Sequence, residues 1–288
     1  MLNLFYSESY WGGASRMNGP QKVVCNLLES LDQENIPYAI NEEKYKFNFL
    51  IHYDYNGHLK HSNLELENCV IGPQIWFFDG HVRFLSQNLN YFKTIVTPSQ
   101  WVKDLAVSKF GYPENKIDVW PVGIELPEIK KDPQYDCLIY FKRRDVGEFS
   151  KICYFLDEKK LSYKFLKYGE YSQEDISILA PQSKFCFLLN GTESQGIAVQ
   201  EIMSYDIPII AWDLKTWEDQ GPDWSVPATS VPYWSDECGE RFFKYEDLEK
   251  TFENFYGRIY ECNPRKYVEE NLSYKASVDK LLEIFNVD

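Results

Sequence analysis

Short continuous apolar runs recur along the chain, and between them lie stretches whose apolar positions fall three and four residues apart. A short continuous run reads as a strand buried on both faces, and the three-four spacing reads as an amphipathic helix. Residues 2–6 open the series as a strand. A loop at Trp11-Gly12-Gly13 follows, and residues 21–34 then carry Val23, Val24, Leu27, Leu28 and Leu31 at helical spacing. Residues 49–53, 69–71 and 94–97 predict further strands. Residues 99–110 predict a helix opening at Ser99 and closing before Gly111, and residues 117–120 a last strand.

Residues 121–133 hold Pro121, Pro127 and Pro133 among mixed charges without periodicity, which is the composition of a connection between domains. A second series then predicts strand 137–141, helix 148–159, strand 163–167, helix 173–179, strand 185–189, helix 196–204 and strand 207–211. A tryptophan-containing loop stretch follows, with helices over 245–259 and 264–285. Strands alternating with helices predict the α/β class, a parallel sheet covered by helices in each half.

Composition narrows the function. The 288 residues amount to about two domains at ~150 residues each. Thirty basic against 44 acidic residues give a net charge of −14, which excludes attachment to nucleic acid or anionic lipid through bulk charge. No run approaches the ~20 apolar residues of a membrane span and no basic leader precedes an apolar stretch, so the expectation is a cytoplasmic protein without an integral membrane segment. The seven cysteines, at 25, 69, 137, 153, 186, 238 and 262, have no metal-ligand spacing and read as reduced thiols. His58 and His61 sit in a polar stretch with no third ligand, so no metal site is expected. Dinucleotide, P-loop, nucleophile-elbow and zincin motifs are all missing, and no D-x-D occurs to hold a metal–diphosphate complex.

The stretch from Phe185 to Asp213 carries the chemistry. It reads as a buried strand, a loop holding Glu193, a helix opening at Gly196, Glu201 eight residues after the first glutamate, and a strand at Ile207-Pro208-Ile209-Ile210-Ala211. A helix opening beyond the carboxyl end of a strand directs free N–H groups and the positive end of its dipole at an anion. Glycine there lets a diphosphate approach the backbone. The same glutamate spacing recurs at Glu34/Glu42, Glu253/Glu261 and Glu261/Glu269, but only this copy brackets a strand–loop–glycine–helix junction.

Glu193 to Glu201, followed by Ile202-Met203 and Ile207-Pro208-Ile209-Ile210-Ala211, resembles the E-x7-E signature of retaining family-4 glycosyltransferases of the GT-B fold. Gly12-Gly13 with residues 19–28 resembles that family's first loop and helix. Residues 97–124 resemble the strand leading into its interdomain linker, and residues 271–282 its last helix. The resemblance implies two Rossmann-like domains facing a central cleft: residues 1–126 on the acceptor side, 127–265 on the nucleotide-sugar donor side, and 266–288 crossing back to the first domain. It implies a UDP- or GDP-sugar as co-substrate, no cofactor, a metal-independent reaction, and a carbohydrate or lipid-linked acceptor.

The resemblance also implies roles. Glu193 contacts the donor sugar, Glu201 the ribose, and the N–H groups around Gly196, Ile197 and Ala198 the diphosphate, faced by Gly12 and Gly13. A leaving diphosphate needs cations. The family's G-R-x-x-x-x-K-G pattern is missing, and Lys142 and Arg144 in the Lys142-Arg143-Arg144 triplet are taken for the task, against the reading of a solvated basic loop. His81 is either a sugar contact or a structural histidine. Trp212, Trp217, Trp224 and Trp234 either pack or stack on rings. Tyr205 and Asp206 replace the small residue and glycine usual after the motif. Two rival readings stay open, a non-catalytic GT-B protein that binds a nucleotide sugar or glycan, and a nucleotide-sugar epimerase.

Overall fold

The computed structural model describes residues 1–6, 18–42, 44–52, 64–74, 89–218 and 224–286. They fall into two compact units, Met1–Gly123 with Tyr274–Asp288, and Ile124–Ser273. Among the described residues no helix is long and apolar enough to cross a membrane.

The first unit is built from β1 (Leu2–Tyr6), α1 (Gly19–Gln33), β2 (Tyr38–Ile40), β3 (Phe47–His52), β4 (Cys69–Ile71), β5 (Thr94–Thr97), α2 (Gln100–Phe110) and β6 (Ile117–Val119). All six strands run parallel in the order β2-β1-β3-β4-β5-β6. α1 starts where its sequence says it should: Asn18 accepts from the Gln21 N–H, Gln21 bonds back to the Asn18 N–H, and Pro20 occupies the first turn. α2 stops at Gly111, whose φ of 69° is the left-handed cap that glycine adopts without strain. β2, an edge strand of three residues, is too short to stand out in the apolar pattern.

The second unit contains β7 (Tyr135–Lys142), α3 (Val146–Glu158), β8 (Tyr163–Lys167), α4 (Gln173–Leu179), β9 (Ser183–Asn190), α5 (Ile197–Ser204), β10 (Ile209–Trp212), a small antiparallel pair β11 (Thr216–Trp217) and β12 (Val226–Pro227), β13 (Gly239–Phe242), α6 (Leu248–Gly257) and α7 (Pro264–Asn271). The main sheet is parallel, in the order β13-β10-β9-β7-β8. Side-chain alternation sorts it into two cores. Ile139, Phe141, Phe185 and Phe187 pack with Phe155 of α3 and Phe252 of α6. Leu138, Tyr140, Cys186 and Leu188 face the opposite way and pack with Ile202 and Met203 of α5 and Val268 of α7. Both faces are covered, so the strands read as unbroken apolar runs.

After α7 the chain returns to the first unit as α8 (Tyr274–Phe285). The apolar pattern predicts a single helix over 264–285; it is interrupted at Leu272 and Ser273. Ile124 donates its N–H to the Leu272 carbonyl at 2.8 Å and pairs with Ser273 in a β-bridge, so backbone groups of the linker replace the helical ones. In the first unit Trp120 Nε1 donates to the Ser277 carbonyl at 3.0 Å and Ser277 Oγ to the Pro121 carbonyl at 2.8 Å. A Cβ on Gly123 would sit 2.9 Å from the Tyr274 Cα, so only glycine lets α8 lie so close.

Candidate functional site

In the second unit β7 pairs with β8 on one side and with β9 on the other. Connections diverge at that point, and ligands of parallel α/β sheets bind beyond the carboxyl ends of the two strands involved. Lys142, the last residue of β7, stands opposite Asn190, the last of β9. The next residue, Gly191, donates to the Lys142 carbonyl at 2.7 Å, and a Cβ there would meet the Arg143 carbonyl oxygen at 3.1 Å.

Glu193 follows in the loop. Its carboxylate is salt-bridged to Lys142 Nζ, the two side chains being 11% and 17% exposed, and Oε1 also accepts from Asn190 Nδ2 at 2.9 Å. The Lys142 ammonium lies 4.5 Å from the centre of the exposed Tyr168 ring, just past β8. The Glu193 N–H donates to the Thr229 carbonyl at 3.0 Å. Thr229 is held in turn by Asp213, a buried carboxylate past the end of β10 that also accepts from the Ser230 N–H and hydroxyl at 2.7 and 2.8 Å. Asp213 thus fixes the loop on which the Glu193 backbone rests.

Three residues later Gly196 takes φ 80° and ψ 44° as the N-cap of α5. Its neighbours, the Glu193 Cβ at 3.6 Å and Pro232 Cδ at 3.7 Å, leave ordinary contact room for a Cβ, so the glycine is set by conformation more than by space. Gln195 and Gln200 bond each other through Nε2 to Oε1 at 3.2 Å and Nε2 to the Gln195 carbonyl at 2.8 Å, bracing the junction. The first turn of α5 leaves the N–H groups of Ile197 and Ala198 without intrahelical acceptors. Glu201 lies one turn further on, half-buried.

The basic triplet divides its work unevenly. Arg144 forms a fork with Glu148 (Nε at 2.7 Å, Nη2 at 2.9 Å), and its Nη1 donates to the carbonyls of Asn190 at 3.2 Å and Trp212 at 2.9 Å. Its side chain is 6% exposed and its guanidinium lies 5.1 Å from the Trp212 ring centre. Arg144 therefore clamps the ends of β9 and β10 to the start of α3. Arg143, which the sequence reading passes over, is exposed at φ 53° and makes no ion pair with any described residue.

Two tyrosines also belong to this end of the sheet. The hydroxyls of Tyr140 on β7 and Tyr171, just before α4, are 3.0 Å apart. Burial raises both phenols above their ordinary range, and the negative charges of Glu201 and Glu193 add to that effect at Tyr171, which reaches about 12. In sequence Tyr140 is one apolar residue in a strand and Tyr171 one polar residue in a loop, so only the fold brings them to the glutamates. Gly12, Gly13 and His81 lie outside the described residues. The tryptophans pack: Trp212 stacks on Phe242, Trp217 meets Trp224 edge-on at 5.9 Å, and Trp234 lies under the Arg241 guanidinium.

No protein-family model matches the chain, nor does any curated protein sequence. Solved structures do. A sucrose-phosphate synthase from Thermosynechococcus elongatus superposes with a TM-score of 0.63 at 10% identity, covering 99% of this chain and 98% of that one. The apo form of the lipopolysaccharide outer core galactosyltransferase WaaB gives 0.59 at 12% identity, covering 99% of both chains. The fold is GT-B. A variant of S. aureus TarM, solved with fondaparinux, alpha-GlcNAc-glycerol and UDP, gives 0.53 at 13% identity over 92% of this chain and 59% of its own.

Proposed function

We propose that this GT-B chain is a glycosyltransferase that moves a sugar from a nucleotide-sugar donor to a carbohydrate or lipid-linked acceptor, with retention of anomeric configuration and without a metal. The observation that carries the reading is the set of groups at the carboxyl end of the β7 and β9 strands. A cation, Lys142, is salt-bridged to Glu193, eight residues before Glu201, and a glycine-opened helix starts between the two glutamates. GT-B neighbours include a galactosyltransferase, and TarM was solved with UDP, which supports a nucleoside diphosphate as the leaving group here.

On this reading the diphosphate rests on the N–H groups of Ile197 and Ala198, where the helix dipole favours negative charge. Lys142 turns from Glu193 to the phosphates, offsetting the charge that develops as the glycosidic bond breaks. On the same reading the exposed Arg143 of the adjoining turn joins it, while Arg144 holds the strand ends in register. Glu193, released from Lys142, accepts hydrogen bonds from hydroxyls of the transferred sugar, and Glu201 from the ribose. The departing phosphate oxygen takes the acceptor's proton on the same face, which retains configuration.

The test is direct. A screen against UDP, GDP, ADP and CDP and their sugar conjugates, with and without EDTA, is expected to raise the melting temperature for one nucleotide series regardless of EDTA. A ligand at 100 times its dissociation constant stabilises by about 2.7 kcal/mol. With that donor, slow release of free sugar to water is expected, the first product carrying the donor's anomeric configuration by proton NMR. Glu193→Gln should lower turnover by about 10²-fold or more while the protein stays folded. Binding without any turnover would leave a non-catalytic binder, and an altered sugar released without an acceptor would mark an epimerase.

A further inference from the structure

We propose that the Tyr171 hydroxyl is a ligand-reading hydrogen-bond donor, held in direction by Tyr140, that together with Glu201 recognises a sugar hydroxyl of the bound nucleotide sugar. The inference rests on the nucleotide-sugar reading above and adds Tyr171 and Tyr140, which that reading does not use.

A phenol carries one O–H and can also accept. Tyr140 is 1% exposed, and its hydroxyl meets one hydrogen-bonding partner among the described residues, the Tyr171 oxygen at 3.0 Å, with the rings edge-on at 5.9 Å between centres. A buried donor left without an acceptor is costly, so the Tyr140 proton goes to Tyr171. That fixes the direction of the bond. Tyr171 is the acceptor, its own proton points away from Tyr140, and no described residue takes it.

Tyr171 packs against the same core cluster as Ile197 and Ala198 at the start of α5. After burial and the Tyr140 bond, the groups acting on the Tyr171 phenol are the carboxylates of Glu201 and Glu193 and the phenol of Tyr168. Burial first, and then the negative charges of Glu201 and Glu193, keep the phenol protonated far above neutral pH, so it stays a donor under working conditions. An ionised carboxylate only accepts, and this phenol has only a proton left to give. The ligand group that satisfies both at once donates with its own proton and accepts with its lone pair, which is an alcohol. A phosphate oxygen is repelled by two carboxylates, and an amide N–H has no lone pair for the tyrosine. The ribose and the transferred sugar are the two parts of a nucleotide sugar that supply such hydroxyls.

Isothermal titration of Tyr171→Phe and Tyr140→Phe against the wild-type chain separates the possibilities. The probes are UDP, GDP, ADP and CDP, their 2′-deoxy counterparts and the matching UDP- and GDP-sugars. Both variants keep the ring and its packing, and a melting curve checks their folds. Tyr171→Phe is expected to weaken the ligand by about tenfold, near the upper end for one neutral hydrogen bond. Tyr140→Phe should weaken it less, because the Tyr171 proton survives but loses its fixed direction. If the ribose is read, Tyr171→Phe weakens the nucleoside diphosphate and erases the preference for ribose over deoxyribose. If the transferred sugar is read, the diphosphate binds as before and only the nucleotide sugar loses affinity. A Tyr171→Phe protein that binds all three ligand types as tightly as wild type, with the same preferences, overturns the inference. A wild-type chain that binds none of them overturns the nucleotide-sugar reading itself.

Discussion

The Lys142 ammonium and the Glu193 carboxylate neutralise each other across the ends of β7 and β9, each side chain less than one-fifth exposed. Removing one partner strands a largely buried charge. Lys142→Met and Glu193→Gln each leave the other group's charge bare, and each is therefore expected to destabilise the chain by about 3 kcal/mol. The double variant should lose less than the sum of the two. Urea unfolding of the four proteins in a double-mutant cycle measures the coupling.

The two arginines should separate cleanly. Arg144→Ala removes four hydrogen bonds that tie Glu148, Asn190 and Trp212 together, and about 3–5 kcal/mol of stability should go with it. Arg144→Lys should not rescue, since an ammonium cannot reproduce the fork. Arg143→Ala, an exposed change, should move stability by about 0.5 kcal/mol or less. It should instead weaken nucleoside diphosphate binding and flatten its dependence on salt. Unfolding curves and titrations at two ionic strengths check both halves.

Glycines at the site should fail for different reasons. At Gly191 an added Cβ comes within 3.1 Å of the Arg143 carbonyl oxygen, so Gly191→Ala should shift the backbone after β7 by a few tenths of an ångström. At Gly196 the room exists but φ is 80°, so Gly196→Ala should cost about 1–2 kcal/mol through the backbone alone. A crystal structure of each variant would show a shifted Arg143 turn in the first and a reshaped α5 start in the second.

Alkaline pH should unfold the protein through its buried thiols. Burial pushes Cys69 and Cys186 up to about 12. Their protonated form is the one the fold favours, so the contribution is constant below about pH 9, where the unfolded thiol titrates. It is lost between pH 9 and 12, at about 1.4 kcal/mol per pH unit for each group. Denaturant midpoints at rising pH should fall across that window. Thiol titration at pH 8 should label Cys25 and Cys153 first, because the other five cysteines are buried.

The α/β class and the doubly covered sheets were legible because β7, β9 and β10 are unbroken apolar runs between amphipathic helices. The α5 junction was legible because a strand, a glycine and two glutamates are local in sequence. Arg143 and Arg144 were not separable. Three consecutive basic residues look alike until the left-handed turn at Arg143 decides which one faces outward and which is drawn under Trp212. Tyr140, Tyr171 and Asp213 stayed invisible for the same reason. Their partners are 31 and 16 residues away, and such pairings exist only once the sheet has formed.

The return of α8 sets an order of events during synthesis. Residues 124–273 form one uninterrupted unit, while the first unit takes Trp120, Gly123 and Tyr274–Phe285 into a single core. The earlier-translated part of the first unit thus waits for a helix translated after the whole second unit, with the face that receives Phe285 against Phe49 open in the interval. The later unit can close while the earlier one is still incomplete. A nascent chain halted short of α8 is accordingly a ready client for chaperones, and any tag or fusion that hinders α8 from docking would harm the half of the protein farthest from it in sequence.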